Sequence, residues 1–172
     1  AEQQGAMSRV VGGRRVLLRW ASMAAERGPS VCLRLLLRDQ IAPQNDLLKL
    51  GYLPDQVNQI ERVATSEGGA ILFAGSVGSG KSTTLATLMA AIPAHRKVMT
   101  LEDPVEYLIP RAVQSAIARD VDTLSGSRFV TKLMALKRSA MTDVLLGEIR
   151  DLETGRAFVD LASSGVSLYS TT

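Results

Sequence analysis

Gly75-Ser76-Val77-Gly78-Ser79-Gly80-Lys81-Ser82 decides how this chain folds. A short apolar run, Ala70–Ala74, leads into it, and a helical pattern from Lys81 to Ile92 leads out. Glycine, four residues, then Gly-Lys-Ser is the spacing of a loop that cradles phosphate. Its glycines let the backbone curl so that several N–H groups point at phosphate oxygens. The helix that begins at Lys81 adds the positive end of its dipole. In such a loop Lys81 reaches the β- and γ-phosphates and Ser82 ligates Mg²⁺. The expected ligands are therefore ATP and Mg²⁺, on Gly75 to Ser82 and the adjoining Thr83.

Downstream, strand and helix patterns alternate. Lys97–Leu101 reads as a strand and Ala112–Ala118 as another, followed by a helix over Arg128–Arg138. Asp143–Gly147 is an apolar strand, Leu152–Ala162 a helix and Val166–Thr171 a last strand. Such alternation predicts an α/β fold, a parallel sheet covered on both faces. Phe129, Leu133 and Leu136 follow helical spacing and are expected in the core.

Upstream, a helix is predicted from Pro54-Asp55 to about Thr65, with Val57, Ile60 and Val63 at helical spacing. Before it, Asp39 to Asp46 with Pro43 reads as a linker. Two short strands open the chain, Arg14–Trp20 and Val31–Arg38. Side chains alternate faces along a strand. A hairpin of the two therefore puts Arg15, Arg19, Arg34 and Arg38 on one side, and Val16, Leu18, Trp20, Val31, Leu33, Leu35 and Leu37 on the other.

Two further segments carry acids at strand ends. In Asp143-Val144-Leu145-Leu146-Gly147-Glu148 an apolar strand runs into Glu148, a position suited to a partner for Mg²⁺. In Thr100-Leu101-Glu102-Asp103-Pro104-Val105-Glu106-Tyr107 three acids follow a strand. Loops at strand carboxyl ends are where ligands bind in open α/β sheets. A carboxylate there can orient water against a γ-phosphate, and periodicity does not choose among Glu102, Asp103 and Glu106.

Composition narrows the class. Apolar residues make up 46% of the 172, enough for a real core, while aromatics are only 4%. No run of 18 apolar residues spans a bilayer, and no secretory signal is visible. Cys32 and His95 stand alone in their residue types. The chain therefore forms no internal disulfide and no Cys/His zinc site, and a cytoplasmic location is expected. His95 reads as a solvated loop residue. Net charge is only +3, yet residues 1–44 hold seven Arg, no Lys and three acids. That excess suits nucleic acid, anionic lipid, a nucleotide phosphate or simply solvent.

Three runs together carry a resemblance: Gly75 to Leu85, Leu101-Glu102-Asp103-Pro104-Val105-Glu106-Tyr107, and Leu146-Gly147-Glu148-Ile149-Arg150-Asp151-Leu152-Glu153-Thr154. In this order and spacing the chain resembles the motor ATPases of type IV pili and type II secretion, within the type II/IV secretion ATPase superfamily. The resemblance implies a RecA-like P-loop ATPase core behind part of a small PAS-like α+β domain. It divides the chain into residues 1–40 (the end of that domain), 41–52 (a linker) and 53–172 (the ATPase domain, truncated at its C-terminus). It implies ATP hydrolysis, with Lys81 and Glu148 in the site and Glu106 as catalytic base. Ser82 and Glu148 would serve Mg²⁺, the latter through water. Arg19 and Arg34 would reach the nucleotide phosphates, with Arg38 as an alternative.

The resemblance further implies a homohexamer that docks on an inner-membrane platform protein. The chain would be cytoplasmic, peripheral to that membrane through its partners, with no direct nucleic-acid partner. Two departures stand out. Arg138-Ser139-Ala140-Met141-Thr142-Asp143 replaces the family's Asp-Pro-Asp segment and keeps only its last acid. Val166 stands at the family's first histidine. These departures leave one alternative in view, a nucleotide-binding scaffold with a weakened site, and the basic first segment suggests another, a nucleic-acid-dependent RecA-like ATPase.

Overall fold

The computed structural model describes residues 3–37, 46–117 and 125–172, with backbone alone for residues 125–130. The chain opens as a three-stranded antiparallel sheet of β1 (Gln3–Val11), β2 (Arg14–Met23) and β3 (Ser30–Leu37). Sequence reading finds the last two strands and misses β1, whose Gln3-Gln4-Gly5-Ala6 start has no apolar alternation. The turn makes it a strand. Gly12 and Gly13 sit at φ 57° and 78°, and Val11 pairs with Arg14 across them. A two-residue turn with both φ values positive matches the twist of the strands it joins.

β2 and β3 form the expected hairpin, with Arg19 directly opposite Arg34. On the other face Val31, Leu33, Leu35 and Leu37 are exposed. Arg38 and the 38–45 part of the expected linker lie outside the described residues.

A 3-10 turn, Leu47–Leu50, follows, with the Asp46 carboxylate accepting the Leu48 N–H at 3.0 Å. Helix α1 (Pro54–Thr65) starts on its proline, while Gln56 Oε1 accepts the Leu53 N–H at 2.9 Å. Its buried stripe is Val57 and Ala64, with Val63 exposed. This corrects the expected stripe ending at Val63, because seven residues return to one helix side more closely than six.

The main sheet is parallel, with β4 (Gly69–Phe73), β5 (Val98–Glu102), β6 (Val113–Ala116), β7 (Asp143–Leu146) and β8 (Ser167–Thr171) in the order β4-β8-β7-β5-β6. Helices α2 (Lys81–Ala91), α3 (Ser125–Lys137) and α4 (Leu152–Ala162) supply crossovers. Alternation sorts the core into two layers. Val98, Leu145 and Tyr169 pack with Ala64, Leu85, Leu88 and Met89 of α1 and α2. Met99, Leu101, Val144, Leu146 and Leu168 pack under Leu133 and Leu136 of α3 and Leu161 of α4. Leu133 and Leu136 are thus core, as expected; the Phe129 side chain lies outside the described residues. α2 is buried from Thr84 to Ala90, which explains why its sequence is apolar on all sides.

An ion pair ties the amino ends of the strands. Asp143, fully buried, accepts from Arg96 Nε at 2.8 Å and Nη2 at 2.6 Å. It also accepts from the Tyr169 hydroxyl at 3.1 Å and Thr142 Oγ1 at 2.8 Å. Arg96 further donates to Ala64 O at 2.8 Å and Ser167 Oγ at 2.9 Å. Burial, then the Asp143 charge, pushes the Tyr169 phenol well above its ordinary value. Asp143, read from sequence as the remnant of an altered motif, is a structural anchor at the amino end of the central strand, remote from the phosphate loop.

Candidate nucleotide-binding site

All five main-sheet strands run parallel, so their carboxyl ends share one edge. There the chain must turn tightly. Gly78 and Gly80 adopt φ of 82° and 91°, a region that costs side-chain-bearing residues about 1–2 kcal/mol. Gly80 is also the N-cap of α2. Ser79 N–H closes the loop on Ser76 O at 3.2 Å, and Val77 is exposed at its tip. Lys81 lies folded over the loop, donating from Nζ to Gly75 O at 2.5 Å and Ser76 O at 3.1 Å. An ammonium held by loop carbonyls sits where a phosphate would take it over.

The acidic segment leaves β5 beside this loop. Its three carboxylates have separate surroundings. Glu102 is turned into the sheet, accepting from Thr100 Oγ1 at 2.5 Å and Gln114 Nε2 at 3.1 Å. Burial raises its carboxyl above the usual range, and these hydrogen bonds work the other way. Asp103 precedes a cis peptide to Pro104. Glu106 is half-buried, and the next residue, Tyr107, pairs its hydroxyl with Thr83 Oγ1 on α2 at 2.8 Å.

At the end of β7, Gly147 comes so close to β5 that a Cβ on it would lie 3.2 Å from Glu102 Cα. Glu148 follows and is ion-paired with Arg150. Asp151 caps α4, accepting from Thr154 N and Oγ1, each at 2.7 Å. The motif therefore divides its labour among a close approach, a carboxylate at the cavity and a helix cap.

The arginine strands close the site. Arg19 and Arg34 sit directly opposite each other, a like-charge pair that is unfavourable without an anion to share. Arg19 Nη1 donates to Asp103 O at 3.5 Å. One cavity of about 530 Å³ is lined by Ser76 through Thr83, Glu102, Asp103, Glu106, Glu148, Arg150, Arg19 and Arg34. Among the described residues predicted for the site, only Gly75, whose carbonyl holds Lys81, is not on its wall. Arg15 shares the arginine face and is not on the wall either.

The family model described as type II/IV secretion system protein matches residues 2–172. The chain belongs to this family. It is 36% identical over 170 residues to the type II secretion system protein E of Klebsiella pneumoniae, and equally so to the type II secretion system ATPase E of Vibrio cholerae. Each match covers 98% of this chain and 33% of the relative, so the chain spans about a third of their length. Among solved structures, the pilus retraction motor PilT with bound ADP is 29% identical with a TM-score of 0.73, covering 98% of this chain and 47% of that one. The Legionella pneumophila ATPase DotB is 25% identical with a TM-score of 0.71, covering 99% and 47%. The fold is thus the RecA-like α/β core of these ATPases, preceded by a small antiparallel sheet.

Sequence reading passed over three contributors to the site in this secretion-family chain. Arg150, two residues from Glu148 in an irregular segment, offered a sequence signal through its spacing. Tyr107 and Gln114 offered none, because only the fold brings them to Thr83 and to the acidic segment. Among the described residues no helix is long and apolar enough to cross a membrane.

Proposed function

We propose that this chain is the nucleotide-handling part of a motor that drives type II secretion or the assembly or retraction of a type IV pilus, by converting ATP and water to ADP and phosphate. The observation that carries the reading is the convergence of Lys81, Glu106, Glu148, Arg19 and Arg34 on one cavity at the strand carboxyl ends. Family relatives named as secretion ATPases and a pilus retraction motor with ADP support it.

The division of labour follows from chemistry. Loop N–H groups and Lys81 hold the β- and γ-phosphates. The Ser82 hydroxyl and the Glu148 carboxylate, hard oxygen donors on one cavity wall, fit Mg²⁺, with Glu148 acting through water. When bound, the ion neutralises charge on the phosphate oxygens. Glu102 is already bonded to Thr100 and Gln114, which makes it a poorer acceptor for the attacking water. Glu106 takes the role of base, matching the resemblance. Arg19 and Arg34 neutralise charge that develops in transfer. In this reading residues 1–40 end a PAS-like domain, 41–52 link, and 53–172 belong to the ATPase domain. The working form is a cytoplasmic homohexamer with no direct nucleic-acid partner, held at the inner membrane by a platform protein.

Phosphate release by the Glu106→Gln protein tests the assignment. Losing a positioned base is expected to slow turnover by about 10²- to 10⁴-fold while a fluorescent ATP analogue still binds. Turnover equal to the parent would remove Glu106 from the role. ATP-stabilised assembly of the parent without phosphate release would favour a scaffold instead.

A further inference from the structure

The 103–112 connection between β5 and β6 carries Glu106, and Gln114 holds it from the sheet alongside the Glu102 carboxylate, which takes a backbone hydrogen bond from Glu106. Gln114, on β6, lies in register with Thr100 of β5. Its Oε1 accepts the Ile109 N–H at 2.8 Å. Its Nε2 donates both hydrogens, to Tyr107 O at 2.9 Å and to Glu102 Oε1 at 3.1 Å. Both donors of the amide and one lone pair of its oxygen are spent on this connection and its root.

These contacts bracket Glu106. Glu102 lies four residues before it, and Tyr107 is the next residue. The far side of the same segment is fixed by the Tyr107 hydroxyl on Thr83 Oγ1 at 2.8 Å, in the first turn of the helix that begins at Lys81. The Glu106 backbone is thus located relative to the sheet by Gln114 and relative to the phosphate loop by Tyr107. We infer that Gln114 is a positioning residue that presents Glu106 to the cavity at a fixed place. The inference rests on the proposed role of Glu106 as the base.

A residue that only packs the loop would change stability and nucleotide affinity together. A positioning residue acts on turnover, because a displacement near 1 Å in a reacting group costs on the order of 10²-fold in rate. Gln114→Leu keeps the volume and removes all three bonds. Its kcat is expected to fall by about 10- to 100-fold, with the Kd of a fluorescent ATP analogue unchanged. Gln114→Glu serves where the leucine protein does not fold: it keeps the acceptor for Ile109 and sets a second carboxyl against Glu102. Adding Glu102→Gln restores an amide–carboxylate pair with the partners exchanged while Tyr107 O stays without its donor, and part of the lost kcat is expected to return.

Parent-like kcat in Gln114→Leu, a matching loss of nucleotide affinity, or an exchanged pair no faster than Gln114→Glu alone would each overturn the inference. Glu106→Gln run alongside separates the two readings. Full turnover in that protein removes the base itself, and the positioning role falls with it. A dead Glu106→Gln beside a parent-like Gln114→Leu removes the positioning role alone.

Discussion

Replacing Asp143 with asparagine should destabilise the protein strongly and leave its nucleotide site intact. Asp143 is fully buried, and the Arg96 guanidinium that it meets through two bonds is only 13% exposed. The substitution removes the negative charge and leaves the guanidinium with Ala64 O and Ser167 Oγ as neutral partners. Breaking a buried pair by removing one partner costs about 3–5 kcal/mol. For a chain of this size each kcal/mol lowers Tm by about 2–4 °C, so the expected fall is about 6–20 °C.

Arg96→Met should cost a similar amount, since it strands the carboxylate. The combination Arg96→Met with Asp143→Leu leaves no charge behind and should cost less than the sum of the two single changes. Asp143 begins β7, and Glu148 follows its far end, so roughly 15 Å of extended chain separates them. Affinity for an ATP analogue, measured well below Tm, should therefore equal that of the parent. Thermal melts followed by circular dichroism, with fluorescent-nucleotide titrations, read both quantities. A melt unchanged from the parent, or a folded Asp143→Asn protein that has lost nucleotide, would refute the reasoning.

Two smaller effects follow from single groups. Thr87 Oγ1 is buried with no hydrogen-bond partner, so the near-isosteric Thr87→Val should raise stability by about 1 kcal/mol, read as a higher denaturant midpoint. Glu102 carries a raised carboxyl pKa through burial; its stabilising share is fully present below the ordinary carboxylate value and is lost as pH rises through the raised one. Denaturant midpoints should accordingly fall across that window, and Glu102→Gln should flatten the slope.

Features made by adjacent residues were legible in the sequence. The phosphate loop announces itself because glycines, lysine and hydroxyl must follow one another for the backbone to curl round a phosphate. The end of β7 is legible in part for the same reason, since Glu148 directly follows the apolar strand, whereas the close approach of Gly147 to Glu102 shows only in the sheet. Strand alternation put Arg15, Arg19, Arg34 and Arg38 on one face, the resemblance singled out Arg19 and Arg34, and the register places these two opposite each other. What escaped depends on pairing between distant segments. β1 owes its existence to hydrogen bonds with β2 rather than to any pattern of its own. Arg96 looks like a loop cation until the sheet brings Asp143 to it from 47 positions away. Gln114 looks like a polar residue of a short edge strand until the connection folds back over it. The choice among three acids, open to periodicity, narrows once Glu102 is seen bonded to Thr100 and Gln114.

Binding and hydrolysis of ATP by the parent and the Lys81→Ala protein test the central claim most directly. The account predicts that the parent binds Mg²⁺–ATP and releases phosphate. It predicts that removing the Lys81 ammonium, a charged partner worth about 1.5–3 kcal/mol to a phosphate, weakens binding by about 10- to 100-fold and stops turnover. A parent that binds no nucleotide, or a Lys81→Ala protein that binds and turns over as the parent does, would contradict it.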